Sequence, residues 1–300
     1  MLIMNHQLAF LGLGVMGAPM AKNLANAPCQ IKVWNRTKNR PHIQPLLQES
    51  SLTMVDTIAE AVESAEIIFT CLGDVPDVEE VLLSESGVIN FAPPNSLVVD
   101  FSTIGSTAVK NIASQLEKKQ IRFLDAPISG GDIGAQQGTL TIMVGGKEKD
   151  FRECLPYLEI MGKNITHCGD VGSGQGVKLC NQVLASLHMV ALCEAMKLAQ
   201  VQNIDPNLIV KVCSTGAAGS WALSNLGKKI IEEDFEPGFM IKHILKDLRL
   251  IQETLQDRHL PGVELANQLF QVSAELNEGE GYNQGAQGMI NAYQNLENFN

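Results

Sequence analysis

The chain has 300 residues, of which 45% are hydrophobic and 18% charged, with 33 acidic against 22 basic side chains and a formal net charge of −11. That is enough apolar material for two domains, and the composition excludes disordered, collagen-like and coiled-coil chains. The acidic balance argues against a general affinity for nucleic acid or anionic membrane surfaces, so neither is expected as a partner.

In chain order, Met1–Phe10 has no basic residue ahead of its apolar stretch and runs straight into a structural motif, so it does not read as a signal peptide. Gln7–Leu11 is predicted as a strand, Met16–Ala25 as a helix and Gln30–Trp34 as a second strand. Ile58–Ser64 reads as helix, Glu66–Cys71 as a buried strand, Val78–Leu83 as helix and Ser96–Asp100 as strand. A helix from Thr107 to Lys119 follows, then strands at Ile121–Leu124 and Leu140–Val144. Strands of about five residues separated by helical patterns predict βαβ units, hence an α/β, doubly wound parallel sheet covered on both faces.

After residue 165 the pattern changes. Gly172–Gln202 is helix-compatible and free of proline, and further helices are predicted at Pro206–Cys213, Ile241–Asp257 and Val263–Leu276. No strand is read there, and the tail from Gly279, rich in Gly, Asn and Gln, reads as loose. The expected organisation is an α/β domain over 1–165, then a helical domain over 166–300 that begins with the long connecting helix. No run of roughly 18 apolar residues predicts a membrane span. The seven cysteines are odd in number and scattered, with no CxxC, and the six histidines show no metal-ligand spacing. Neither a disulfide framework nor a metal site is expected, and reduced thiols point to a cytoplasmic protein. Trp221 is expected in the core.

Phe10-Leu-Gly12-Leu13-Gly14-Val15-Met16-Gly17 is a GxGxxG that follows a strand and opens a helix, the context in which this pattern identifies a Rossmann-type dinucleotide turn. Gly12 allows the tight turn, Gly14 the close approach of the pyrophosphate and Gly17 the packing of helix on strand. The end of the second strand usually carries an acidic residue for the adenine ribose hydroxyls of NAD. Here Asn35-Arg36-Thr37 stands about 20 residues past the glycines, neutral and then cationic, which favours NADP.

Asp125-Ala-Pro-Ile-Ser129-Gly130-Gly131 places a Ser-Gly-Gly turn after a strand, where successive N–H groups and a hydroxyl can cradle a carboxylate. On the long helix, Gly174, Lys178, Asn181 and Gln182 share one face among apolar neighbours. By position alone Lys178 is either a lysine aimed from an apolar wall or one whose ammonium snorkels to solvent.

Gly12–Gly17, Asp125–Gly131 with Gly138-Thr-Leu and Met143-Val-Gly-Gly146, the block from Gly174 to Gln182, and Lys246-Asp247 together resemble the β-hydroxyacid dehydrogenase family, in family order over residues 7–290. Trp34-Asn-Arg-Thr37, with Phe239 ahead of Lys246-Asp247, is most similar to its glyoxylate/succinic semialdehyde reductase branch. The resemblance implies that Lys178 is the catalytic acid and that Ser129, Gly130, Gly131, Asn181, Gln182, Phe239 and Asp247 bind substrate. It also implies that Leu72, Thr103 and Lys246 join Gly12–Gly17 and Asn35–Thr37 in holding NADPH, and that the chain forms a homodimer or homotetramer. Many relatives carry Asn four residues after the lysine. Here Gln182 stands there and Asn181 one place earlier, which leaves the division of work between the two amides open.

The expected activity is NADPH-dependent reduction of a small carboxylate-bearing aldehyde, glyoxylate or succinic semialdehyde, to its hydroxyacid. An NAD-dependent 3-hydroxyisobutyrate or tartronate semialdehyde type dehydrogenase is the alternative, and a non-catalytic nucleotide-binding interaction module a further one.

Overall fold

The structure is a computed structural model in which residues 6–296 are described. The chain forms two compact units, with the division in sequence between Lys178 and Leu179.

The first unit is built on a nine-stranded sheet. In chain order its elements are β1 (Leu8–Leu11), α1 (Gly17–Leu24), β2 (Ile31–Trp34), β3 (Leu52–Met54), α2 (Ile58–Val62), β4 (Ile67–Thr70), α3 (Val75–Leu83) and α4 (Val88–Phe91). They continue with β5 (Leu97–Asp100), α5 (Ser106–Glu117), β6 (Arg122–Asp125), β7 (Ile128–Ser129), α6 (Gly131–Gln137), β8 (Leu140–Gly145), α7 (Glu148–Met161) and β9 (Gly162–Gly169). The strand order is β3-β2-β1-β4-β5-β6-β8-β7, with β9 on β8.

Strand residues alternate between two cores. Leu8, Phe10, Ile31, Val33, Ile67, Phe69, Leu97 and Val99 pack toward α1, α6 and α7, whereas Ala9, Leu11, Ile68, Val98 and Phe123 pack toward α2, α3 and α5. This is the period-2 signature of strands buried on both faces. Two helix starts are fixed locally by reciprocal side-chain to backbone bonds, Thr57 with Glu60 at α2 and Asp74 with Asp77 at α3.

The sheet departs from the fully parallel expectation beyond β6. Both β6–β8 and β7–β8 are antiparallel. Gly130 and Gly131, at φ 132° and 64°, reverse the chain after β7, and the short α6 returns it beside that strand. The sequence reading also omits β3, β7, α4, α6, α7 and β9. The strands β3 and β7 are only three and two residues long, below any detectable alternation, and Pro156 inside α7 breaks its helical pattern.

The long helix α8 (Ser173–Val201) carries the chain from the first unit into the second, which adds α9 (Pro206–Cys213), α10 (Trp221–Ile231), α11 (Ile241–Leu255), α12 (Pro261–Gly279) and α13 (Ile290–Leu296). Among its described residues the second unit holds no named strand, only an isolated bridge between Met240 and Gly285. By length and composition alone α8 could cross a membrane, although Gln175, Lys178, Gln182 and Ser186 are buried polar residues along it.

Two expectations fail here. Of the tail expected to be loose from Gly279, residues 281–288 are closely fitted: a Cβ on Gly281 would stand 2.0 Å from the Ser273 carbonyl oxygen, and Ser273 Oγ donates to Gly288 O at 2.7 Å; residues 297–300 lie outside the described residues. Glycines there serve close backbone approach, which composition alone reads as looseness. Trp221 is 59% exposed, because it sits at the first position of α10, right after the capping Ser220.

Candidate active site

The three glycines of the first turn have different physical reasons. A Cβ on Gly12, at φ 96°, would stand 2.3 Å from the Cys71 carbonyl oxygen, and one on Gly17 would stand 2.0 Å from that of Gly12. Packing therefore excludes side chains at both. Gly14 meets nothing within 4 Å, so its missing side chain is explained by nothing inside the chain and leaves the backbone open to an incoming group. No side chain caps α1, so its first N–H groups are not taken up by a capping residue. An uncapped helix start behind a bare glycine fits a pyrophosphate.

Asn35 braces that turn: its Oδ1 accepts from Leu13 N at 2.8 Å and its Nδ2 donates to Thr37 O at 2.6 Å. The Arg36 guanidinium is 69% exposed and stands 3.2 Å from Asp77 and 3.3 Å from Glu80. No carboxylate ends β2.

The carboxyl ends of β4, β5 and β6 form one row, since Thr70 pairs with Asp100 and Asp100 with Asp125. All three are fully buried. Asp100 Oδ1 accepts from Thr70 Oγ1 at 2.7 Å, Ser102 Oγ at 2.6 Å and Ser102 N at 3.1 Å, while Ser102 Oγ accepts from Leu72 N at 2.9 Å. One carboxyl thus shapes the loops that carry Leu72 and Thr103. Burial pushes Asp100 above the usual carboxylate range, against the pull of those hydrogen bonds.

Asp125 caps the start of α8, accepting from Gly172 N at 2.7 Å and Gln175 N at 2.9 Å. Burial raises its pKa as well, opposed by these backbone donors. The Gln175 side chain accepts from Ile104 N and Gly105 N at 3.0 and 2.9 Å and donates to Ser102 O at 2.8 Å. Lys178, one turn further along, is only 6% exposed. Of the two positions open to it, the structure therefore takes the buried one. Ser129, Gly130 and Gly131 follow Asp125 through β7, and Gly131 at φ 64° meets nothing within 4 Å of its missing Cβ.

In the helical unit, Asn181 Nδ2 donates to Gln182 Oε1 at 2.9 Å, Gln182 Nε2 donates to Asp247 Oδ2 at 2.5 Å, and Lys246 Nζ stands 3.0 Å from Asp247 Oδ1. A carboxylate only accepts, so this chain has a fixed direction: Gln182 must turn its N–H to Asp247, and Asn181 must turn its N–H to Gln182. Phe239 lies 5.7 Å from the His243 ring, and burial lowers the pKa of that imidazole. Among the described residues no group of His, Cys, Asp and Glu is arranged to hold a metal.

Residues 7–169 match the family described as the NAD binding domain of 6-phosphogluconate dehydrogenase, and residues 172–293 the one described as NAD-binding of NADP-dependent 3-hydroxyisobutyrate dehydrogenase. The chain is 38% identical over 270 residues to the 2-hydroxy-3-oxopropionate reductase of Escherichia coli, covering 89% of this chain and 91% of that protein. The chain belongs to the β-hydroxyacid dehydrogenase family. An uncharacterized oxidoreductase of Synechocystis is 50% identical over 287 residues, 96% of this chain and 98% of its own. The solved 3-hydroxyisobutyrate dehydrogenase of Mycobacterium tuberculosis with L-serine superposes at a TM-score of 0.86, with 28% identity, over 97% of this chain and 100% of that one. The protein is accordingly an oxidoreductase with pyridine-nucleotide-binding domains.

Within this β-hydroxyacid dehydrogenase, sequence reasoning assigned roles to Lys178, Gln182 and Asp247, which are buried, and gave none to Asp100, Asp125 or Gln175, although the last two stand inside the Asp125–Gly131 and Gly174–Gln182 motifs. Their signal was present in part: Leu97-Val-Val-Asp100 and Arg122-Phe-Leu-Asp125 each end a buried strand on a carboxylate, and a buried acid is there only with partners.

Proposed function

We propose that the chain is an NADPH-dependent reductase of small aldehydes that carry a carboxylate, of the glyoxylate or succinic semialdehyde type, with Lys178 as the general acid. The observation that carries this reading is the buried Lys178, one turn from a helix start that Asp125 and Gln175 tie to the carboxyl ends of β5 and β6. A bound reduced nicotinamide supplies the hydride. Lys178 holds the carbonyl oxygen through its ammonium group and passes it a proton as the alkoxide forms, so that carbonyl, hydride and proton become the alcohol. A fixed cation where negative charge develops stabilises that transition state. The Ser129 hydroxyl and the Gly130 and Gly131 amides receive the substrate carboxylate. Asn181 binds the substrate or orients Lys178, with one of its two amide N–H groups already on Gln182. Gly12, Leu13, Gly14, Val15, Met16 and Gly17 receive the pyrophosphate, Asn35, Arg36 and Thr37 the adenosine end, and Leu72, Thr103 and Lys246 the nicotinamide end.

NADP is supported by the neutral Asn35 at the end of β2 and by the exposed guanidinium of Arg36. One observation favours the second reading, NAD-dependent oxidation of 3-hydroxyisobutyrate or a similar hydroxyacid: Asp77 and Glu80 already face Arg36 and would repel a 2′-phosphate. Association into a homodimer or homotetramer is supported by exposed apolar side chains along α8, with Leu184 seven residues past Val177, Leu198 fourteen past Leu184, and Val201 beyond them. A reducing, cytoplasmic setting is supported by seven cysteines without a disulfide.

The test is the purified protein with NADPH or NADH against glyoxylate, succinic semialdehyde, tartronate semialdehyde and methylmalonate semialdehyde. The expected result is turnover of at least one of the first two with NADPH preferred. A preference for NADH removes the Arg36 reading, and no turnover of any of the four removes the reductase.

A further inference from the structure

We propose that Asp125 and Gln175 are positioning residues that lock Lys178 against the two loops receiving substrate and nicotinamide. This rests on the reductase reading above. Three segments with separate tasks are involved: the loop at Ser102–Gly105, the segment from Asp125 to Gly131, and the first turns of α8. The Gln175 amide spans the first and third, with its oxygen on Ile104 N and Gly105 N and its nitrogen on Ser102 O. The Asp125 carboxylate spans the second and third, through Gly172 N and Gln175 N. Both side chains are fully buried.

The surrounding glycines show how closely the carboxylate is seated. A Cβ on Gly174 would stand 2.8 Å from Asp125 Oδ2, and one on Gly145 2.5 Å from Oδ1. Lys178 lies three residues past Gln175, about 4.5 Å along the helix axis. Any rotation or lift of the first turn is therefore passed directly to its ammonium group. Removing the clamp leaves the helix but frees its register, and a misplacement of about 1 Å at a reacting atom costs on the order of 10²-fold.

The experiment uses the full chain with Gln175→Leu, Gln175→Glu and Asp125→Asn, alone and combined with Lys178→Ala. Gln175→Leu is expected to lower kcat by about 10- to 100-fold while the dissociation constant for NADPH, read by fluorescence titration, moves less than about threefold. In the Lys178→Ala background the same change should cost no more than about twofold further, because the group it positions is gone. Losses that simply multiply overturn the proposal.

Gln175→Glu supplies a milder variant with its own signature. Protonated, its carboxyl group reproduces both the acceptor and the donor of the amide; ionised, it faces the Ser102 carbonyl with no proton to give. Burial raises its pKa, so the ratio of its kcat to that of the wild type at the same pH should recover as pH falls from about 8 to about 6. A pH profile parallel to that of the wild type overturns the proposal. Inactive wild type on all four aldehydes is instead the failure of the reductase reading. In that case amide hydrogen exchange still decides the clamp: Gln175→Leu should speed exchange in 102–105 and 172–178 alone, and unchanged exchange there overturns it.

Discussion

The sheet unit and the helical unit hold their functional side chains in different ways. In the first, each critical loop is fixed by a buried acceptor that takes two or three hydrogen bonds, as Asp100 does for Thr70 and Ser102, and Asp125 for Gly172 and Gln175. In the second, Asn181, Gln182, Asp247 and Lys246 form a single file in which each side chain depends on the next. Surface follows the same division. Apart from Val15, Phe91 and Ile133, the exposed large apolar residues lie on α8 or beyond it. Most of the exposed large apolar side chains thus belong to the helical half, the feature on which the proposed association rests.

The sharpest break of that comparison is at Lys178. Lys178→Ala should lower kcat for the aldehyde by about 10²- to 10⁴-fold, the usual share of a positioned proton donor. The Kd for NADPH should stay near the wild-type value, because the glycine turn is untouched. Steady-state and binding measurements on the same preparation separate the two. Next in size is the exposed stripe. Leu184→Glu with Leu198→Glu places charges where a second subunit would bury them, and the association constant should fall by about 10²-fold or more. Light scattering across a dilution series reads the shift to monomer. An unchanged mass would show that this face covers nothing.

The difference between the units also explains what was legible in the sequence. Strand alternation at Phe10, Val33, Phe69 and Val99 and the glycine turn are local patterns, so the parallel half of the sheet, apart from the three-residue β3, and its cofactor edge could be read directly. The antiparallel end could not, because β7 is two residues long and its pairing is decided by a glycine reversal. Lys178 stood out only through its neighbours in sequence. Gln175, three residues away, did not, since its task is defined by loops near Ser102 that are 70 or more positions distant. Tertiary hydrogen bonds of that kind leave no periodicity to find.

A smaller effect sharpens the cofactor side of the comparison. Arg36→Ala should raise the KM for NADPH by about 10-fold, the order of one exposed charge-assisted contact, and leave that for NADH within about twofold. Asp77→Asn with Glu80→Gln should act in the opposite direction, lowering the KM for NADPH by removing the carboxylates that compete for the guanidinium. Equal response of both nucleotides would place the 2′-phosphate elsewhere.

The smallest expected effect concerns stability, and its sign follows from burial. Asp100 is raised above the ordinary value of an aspartate chiefly because its charge is desolvated, and its Oδ2 has no hydrogen-bond partner. A carboxyl raised by folding binds its proton more tightly in the native chain than in the unfolded one. Its contribution is therefore fully present below the unfolded pKa and is lost as pH rises through the native value. Asp100→Asn keeps the oxygen that Thr70 and Ser102 use and removes the ionisable group. The variant and the wild type should thus have similar Tm at low pH, and the variant should gain on the wild type as pH is raised. A gap that narrows with rising pH would mean that the native carboxylate is stabilised as an ion, and the strand-end row would then be a charged site rather than a neutral brace.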